Sequence, residues 1–242
     1  MDSRGMTSEE WLGVIEAMDS VEPYYDRVNG LITLGLADKW RRDVAARAGP
    51  EDVVLELGSG PGSFARHLAS KKIYCVEPSR HLADVSRKSL PHEQVTVIRG
   101  VGETIPLAEE SVDKVFCSFS FRDFRDRPKG ISEMFRVLRP GGEVFITDVA
   151  KPPSGPMAKL LDIHVRHMVP VLARIAVGPD VRALWDRNPY RTFAETYDAF
   201  GFTTVYEGLL KDRGFSEVGT EFLRMKGATM TRGRKPWKST YS

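Results

Sequence analysis

The spacing of apolar and polar positions changes character twice along this chain. Residues 9 to 18 put Trp11, Leu12 and Ile15 on one face of a helical period, and 31 to 48 repeat that period, which predicts two N-terminal helices. The aromatic stretch between them, PYYDRVNGLI, predicts a turn. From Asp52 short apolar runs alternate with helical ones. VVLEL is a strand followed by a glycine-rich loop and a helix over SFARHLASKK. IYCVEP is a second strand with a helix over SRHLADVSRKSL, QVTVIRG a third and VDKVFCSFSF a fourth. PKGISEMFRVL is a helix that closes on the turn RPGGE and launches the fifth strand, EVFITDVA. This alternation, from about 52 to 150, indicates βαβ units around a parallel sheet covered on both faces. KPPSGP then interrupts it, and 157 to 200 is helical in period without a strand partner. A helix over TTVYEGLLKDRGF and two strands in EVGTEFLRMKGATMTRG complete the pattern. Strands joined by so short a turn run antiparallel.

The expected organisation is one domain over 1–242. It has a helical cap (1–48), a binding core (52–150), a helical insertion (151–202), a final helix and strand pair (203–232) and a basic tail (233–242). An insertion at the carboxyl edge of a parallel sheet suits a substrate lid, with a plain helical buttress as the alternative.

Charge changes this picture little. Lys and Arg number 35 and Asp and Glu 33, a net charge of +2, which excludes a chain built mainly to neutralise nucleic acid. Cys75 and Cys117 lie inside apolar runs and read as buried, reduced thiols of a cytoplasmic protein. No apolar run approaches the roughly 20 residues that span a bilayer, and the N-terminus, with its early acids, does not read as a signal peptide. Residues 226–242 contain Lys226, Arg232, Arg234, Lys235 and Lys238 and no acid. They read as a solvated end, the alternative being contact with phosphates of RNA or of anionic lipid. No RNA-binding module accompanies them, so no nucleic-acid partner is expected, while peripheral membrane contact and a homodimer stay open.

The glycine loop carries the candidate chemistry. Gly58, Gly60 and Gly62 follow strand one, but Ser63 breaks the dinucleotide fingerprint. Glu56, two residues before the first glycine, is an acid where a pyrophosphate site has an apolar residue, and it suits a cationic ligand group. Glu77 ends strand two, where an acid accepts ribose hydroxyls. A ribose joined to a positive charge, without phosphate, points to S-adenosylmethionine, with S-adenosylhomocysteine as product. Ser118, near the end of strand four, is a further pocket candidate. His164 and His167 share a helical face, but no Cys or carboxylate set completes a metal site, so no metal is expected.

Glu56-Leu57-Gly58-Ser59-Gly60-Pro61-Gly62, the Glu77-Pro78 strand end and LRPGGEVFI resemble the motifs of class I S-adenosylmethionine-dependent methyltransferases. The resemblance implies a Rossmann-like α/β fold with a seven-stranded, mostly parallel sheet of order 3-2-1-4-5-7-6, strand 7 antiparallel. It also implies a cofactor site at Glu56, Gly58, Ser59, Gly60, Gly62, Glu77 and Pro78, with Gly102 and Glu103 beside the adenine.

A second resemblance covers nearly the whole chain. YYDRVNGLITLGLADKWRR is similar to the N-terminal signature of the ubiquinone/menaquinone biosynthesis C-methyltransferases, matching it at Tyr25, Asp26, Asn29, Gly35, Trp40 and Arg41, with Thr33 in place of serine. SFSFRDFRDRPKGISEMFRVLRPGG resembles a second family segment, matching at Arg122, with Asp123 where the family has asparagine. The implied substrate is a small hydrophobic molecule, a prenylated quinol methylated at carbon. Such chemistry needs a phenolic proton removed and the oxyanion stabilised. Arg122 is the candidate stabiliser, Asp123 the candidate base or the partner that holds Arg122, and Tyr25 a pocket wall or donor. Methylation of another small molecule, a phospholipid or RNA is the alternative, as is binding of S-adenosylmethionine without turnover.

Overall fold

The computed structural model describes residues 5–91, 93–152, 154–184, 190, 197 and 203–237. Apolar runs at 53–57, 72–77, 95–99 and 112–118 form β1 (Val53–Leu57), β2 (Lys72–Glu77), β3 (Val95–Arg99) and β4 (Val112–Ser118). β5 (Leu138–Val149), β6 (Ser216–Phe222) and β7 (Ala228–Arg234) complete a seven-stranded sheet of order β3-β2-β1-β4-β5-β7-β6. β1 to β5 pair in parallel, and β7 runs antiparallel to both its neighbours, as the sequence predicts. β1, flanked by β2 and β4, is where the strand order reverses, and an open α/β sheet leaves a crevice there outside its strand carboxyl ends.

The pleat divides the core into two layers. Leu55, Val115, Val144 and Ile146 face α5 (Arg127–Val137) and α9 (Thr203–Arg213), packing on Ile131, Met134, Tyr206 and Leu210. Val54, Phe116 and Phe145 face the other way, against Phe64 and Val44 of α3 (Leu36–Ala45). Phe64, Phe116 and Phe145 form a column of rings with centroids 5.1–5.2 Å apart. α4 (Arg80–Ser89), capped by the Ser79 hydroxyl, packs beside β2 and β3.

A third cluster lies off the sheet. Val21 of α1 (Ser8–Val21) and Val28 and Ile32 of α2 (Tyr25–Ile32) pack on Val169, Ala173 and Ala176 of α7 (Val169–Ala176). Cap and insertion therefore form one roof over the carboxyl edge. α6 (Pro156–Ile163) runs into α7 through a single π turn over His164–Met168, and α8 (Pro179–Leu184) follows. The rest of the expected 157–200 helical segment lies outside the described residues.

Several expectations about local structure are corrected. The predicted turn over PYYDRVNGLI is mostly helix α2, and the predicted helix 31–48 is interrupted. Thr33 Oγ1 donates to the Asn29 carbonyl and accepts from Ala37 N–H, and Gly35 takes φ 76°, so the chain turns before α3 begins. SFARHLASKK makes only a 3-10 turn at Ala65–His67, because Leu68 is already extended and Ser70 is tied to the Gly49 carbonyl on the way into β2. RPGG belongs to β5, entering it through a register shift opposite Val112/Lys114. The basic tail does not begin at 233. Arg232 and Arg234 lie in β7 between two strands, and buried Lys235 donates through Nζ to the Leu138 carbonyl. Lys238 lies outside the described residues. Among the described residues no helix is long and apolar enough to cross a membrane.

Candidate active site

A cavity of about 520 Å³ lies between the roof and the carboxyl edge of the sheet. Its walls include Tyr25, Glu56, Gly58, Ser59, Gly60, Glu77, Pro78, Gly102, Glu103, Ser118, Arg122 and Asp123, so residues spread over a hundred positions converge on one space. Gly62 does not line it. Apolar walls come from Met18 and Val21 of the cap, Phe119 after β4, and Met157, Leu161 and Val169 of the insertion.

The three loop glycines do three different things. All have positive φ, +65° at Gly58, +54° at Gly60 and +91° at Gly62, a region that favours glycine. A Cβ on Gly58 would stand 2.5 Å from Cβ of Ser120, whose hydroxyl donates to the Leu57 carbonyl. A Cβ on Gly62 would stand 2.9 Å from the Leu90 side chain. Only Gly60 has open space beside it, and that space is the cavity. Gly102 is likewise a packing requirement, its Cβ position lying 2.2 Å from the Phe124 ring.

Two buried carboxylates face the cavity from adjacent strand ends. Glu77 accepts from Gly60 N–H at 2.8 Å and from Ser79 N–H at 2.9 Å, so it shapes the loop it adjoins. Burial raises its pKa to about 7 against those two hydrogen bonds. Glu56 is raised to about 8, again by burial, with the Arg41 guanidinium of α3 opposing. Each carboxylate carries an energetic cost that a cationic or hydroxyl-bearing ligand would relieve. Glu103 is different. Its Oε1 accepts from Arg125 N–H at 2.8 Å and Asp126 N–H at 3.3 Å, so its carboxylate is engaged by the 124–126 backbone.

Arg122 and Asp123 lie on a 3-10 turn just after β4. Arg122 is ion-paired to Asp148 at the end of β5 and stands 3.6 Å from Asp123. Asp148 is 1 % exposed and also accepts from Tyr206 Oη at 2.9 Å and from Val149 N–H. Burial raises the Asp123 pKa to about 6, Arg122 opposing and Asp148 adding to the rise. Tyr25 joins the same wall. Its ring lies 5.8 Å from the Arg41 guanidinium. The Tyr190 phenol is pushed up by burial and by its neighbour Tyr25, with Arg122 opposing.

The sequence did not single out Asp148 or Tyr206, and it marked Arg41 only as a match to the family signature. Asp148 carries the signal that marked Glu77, an acid closing an apolar strand. Tyr206 carries none, since only packing brings its helix to the site. The cap is also fastened by acids that spacing does not reveal. Asp19 accepts from Ser79 Oγ at 2.6 Å, and Asp26 accepts from Ser63 Oγ at 2.7 Å and from Arg66. His164 lines the cavity with Nε2 2.6 Å from the Ile32 carbonyl, joining insertion to cap.

This donor set fits S-adenosylmethionine. Two buried carboxylates suit an ammonium or sulfonium and a ribose, and Gly60 leaves room beside the loop. Ser59 Oγ, buried at the loop, has no hydrogen-bond partner among the described residues.

Residues 5–235 match the model of a family described as the ubiE/COQ5 methyltransferase family. The demethylmenaquinone methyltransferase of Deinococcus radiodurans is 29% identical over 221 residues, covering 85% of this chain and 91% of that one. The ubiquinone/menaquinone biosynthesis C-methyltransferase UbiE of Vibrio campbellii is 27% identical over 225 residues, covering 88% and 83%. Among solved structures, a methyltransferase from Thermotoga maritima dependent on the same cofactor superposes with a TM-score of 0.62 at 21% identity, over 91% of this chain and 99% of that one. The [4+2]-cyclase SpnF superposes with a TM-score of 0.57 at 17% identity, over 93% and 95%. The architecture alone thus does not fix the reaction.

Proposed function

The chain belongs to the ubiE/COQ5 methyltransferase family and is an S-adenosylmethionine-dependent methyltransferase; from that premise we propose that its acceptor is a prenylated quinol, methylated at a ring carbon. The observation that carries this reading is the pairing of a half-buried cation and a carboxylate of raised pKa, Arg122 and Asp123, with an apolar chamber. The names of the relatives support the same substrate class.

In this reading Glu56, Ser59, Gly60 and Glu77 hold the cofactor, which supplies an electrophilic methyl group on a sulfonium. Glu56 faces its ammonium and Glu77 its ribose hydroxyls, while Gly58, Gly62 and Gly102 set the backbone path. Pro78 and Ser118 line the same half of the cavity. Asp123, with a pKa near 6, is ionised at neutral pH and takes the phenolic proton of the quinol. Arg122, fixed by Asp148, faces the oxyanion that results and keeps electron density available to the ring. Tyr25 and the insertion helices wall off water and receive the prenyl tail.

The test is incubation of the protein with labelled S-adenosylmethionine and a reduced demethylmenaquinol in detergent, followed by mass spectrometry of the extracted quinones. Label on the quinone ring supports the reading. Label recovered only on RNA or phospholipid overturns the acceptor and leaves the enzyme class in place.

A further inference from the structure

We propose that the rim of the cavity mouth is an interfacial face that docks on an anionic lipid bilayer, an inference that rests on the prenylated acceptor proposed above. Three apolar side chains line the cavity and are also strongly exposed, Leu34 at 71%, Leu160 at 59% and Met225 at 51%. They come from three separate places, the turn after α2, helix α6 and the turn between β6 and β7. Leu34 and Met225 have φ of 52° and 61°, where a large side chain is costly and Asn or Gly would be cheap. Each turn thus bears strain while presenting an apolar group to solvent at the mouth of an apolar chamber.

The outward side of the α6–α7 rod carries the same character with Ile163 at 58%, Val171 at 54% and Ile175 at 58%. Charge selects the occupant. Lys159, Arg174 and Lys226 are exposed on these segments, whereas the acids nearby are engaged, Asp162 by Lys151 and Arg166 and Asp43 by Arg224. A second copy meeting this face would oppose cation to cation. Anionic headgroups complement it, with apolar side chains entering the acyl boundary between them. A prenylated acceptor would then pass from bilayer to cavity without crossing water.

The test is sedimentation of the full chain with phosphatidylcholine vesicles, pure or containing phosphatidylglycerol. The expected result is binding at least tenfold tighter to the anionic vesicles, weakening with salt. Lys159→Gln with Lys226→Gln should weaken it about twenty-five-fold, since each lysine near a surface contributes about fivefold. Leu34→Asn, Leu160→Gln and Met225→Asn together should abolish it, with circular dichroism verifying the fold. No sedimentation of the wild type, or unchanged binding by the lysine variant, overturns the proposal. So does a wild-type dimer in light scattering that the apolar variant converts to monomer without any vesicle binding, because the occupant is then a second copy. Quinol turnover in detergent without vesicle binding overturns the docking face alone. Vesicle binding without quinol turnover overturns the acceptor and leaves the face standing.

Discussion

Arg122 and Asp148 form an ion pair across the carboxyl ends of β4 and β5, 26 positions apart in sequence. Asp148 is fully enclosed, while Arg122 retains 21% exposure of its side chain toward the cavity. The buried acid thus aims a cation at the acceptor side of the site, and Tyr206 holds the acid from behind.

Removing that cation should affect chemistry more than cofactor binding. Arg122→Ala should lower turnover by about 100-fold or more, the loss seen when one preorganised oxyanion donor is removed, with S-adenosylmethionine affinity nearly unchanged in a calorimetric titration. Asp148→Asn should also lower turnover and cost about 3 kcal/mol of stability, because it leaves Arg122 without its main counter-charge. Full activity in either variant removes the pair from the mechanism.

Glu77 sits on the opposite side of the cavity and should behave in the reverse way. Glu77→Ala should weaken S-adenosylmethionine binding by about 1.5–3 kcal/mol, the cost of a lost charge-assisted hydrogen bond. Because Glu77 also anchors Gly60 and Ser79, the same variant should melt at lower temperature. Unchanged affinity would refute the assignment to the ribose.

Alanine at the loop glycines should separate packing from binding. Gly58→Ala places a methyl group against Ser120 and should destabilise the ligand-free protein, with partial rescue by Ser120→Gly. Gly60→Ala meets only cavity, so its stability loss should be limited to backbone strain of about 1 kcal/mol while its cofactor affinity falls further. Equal stability losses in thermal melts of the two ligand-free variants would contradict this division.

Stability of the ligand-free protein should depend on pH through Glu56 and Glu77. Both have folded pKa values above the ordinary carboxyl value of 4.5, about 8 and about 7. Between 4.5 and those values the folded state keeps protons that the unfolded state has lost. Their contribution is therefore complete below pH 4.5 and is lost as pH rises toward 8, each group contributing a slope of about 1.4 kcal/mol per pH unit where it is fully protonated only in the fold. Glu56→Gln should flatten this decline in denaturant titrations from pH 5 to 8. A decline of the same steepness in that variant would show that Glu56 is not the source.

What the sequence determined by itself was periodic or local. Continuous apolar runs such as VVLEL at the sheet centre, helical periods between them and the antiparallel final pair specified the strands, while their order followed from the resemblance to the class I methyltransferases. An acid closing an apolar strand marked Glu56 and Glu77 because a charge at that point cannot join the core without a purpose. Tertiary structure decided the rest. Nothing local told Thr33 and Gly35 to split one helical period into two helices, or kept SFARHL to a single turn, since both outcomes depend on hydrogen bonds fixed by where the chain goes next. The glycine loop, read as clearance for a ligand, has open space beside it only at Gly60; a Cβ at Gly58 or Gly62 would meet Ser120 or Leu90. Arg122 could be chosen from its position after β4, but its partner could not. An ion pair between two strand ends, a tyrosine behind it and a roof joined from residues 8–32 and 156–176 are products of long-range packing, and periodicity carries no information about which distant side chain fills the space opposite.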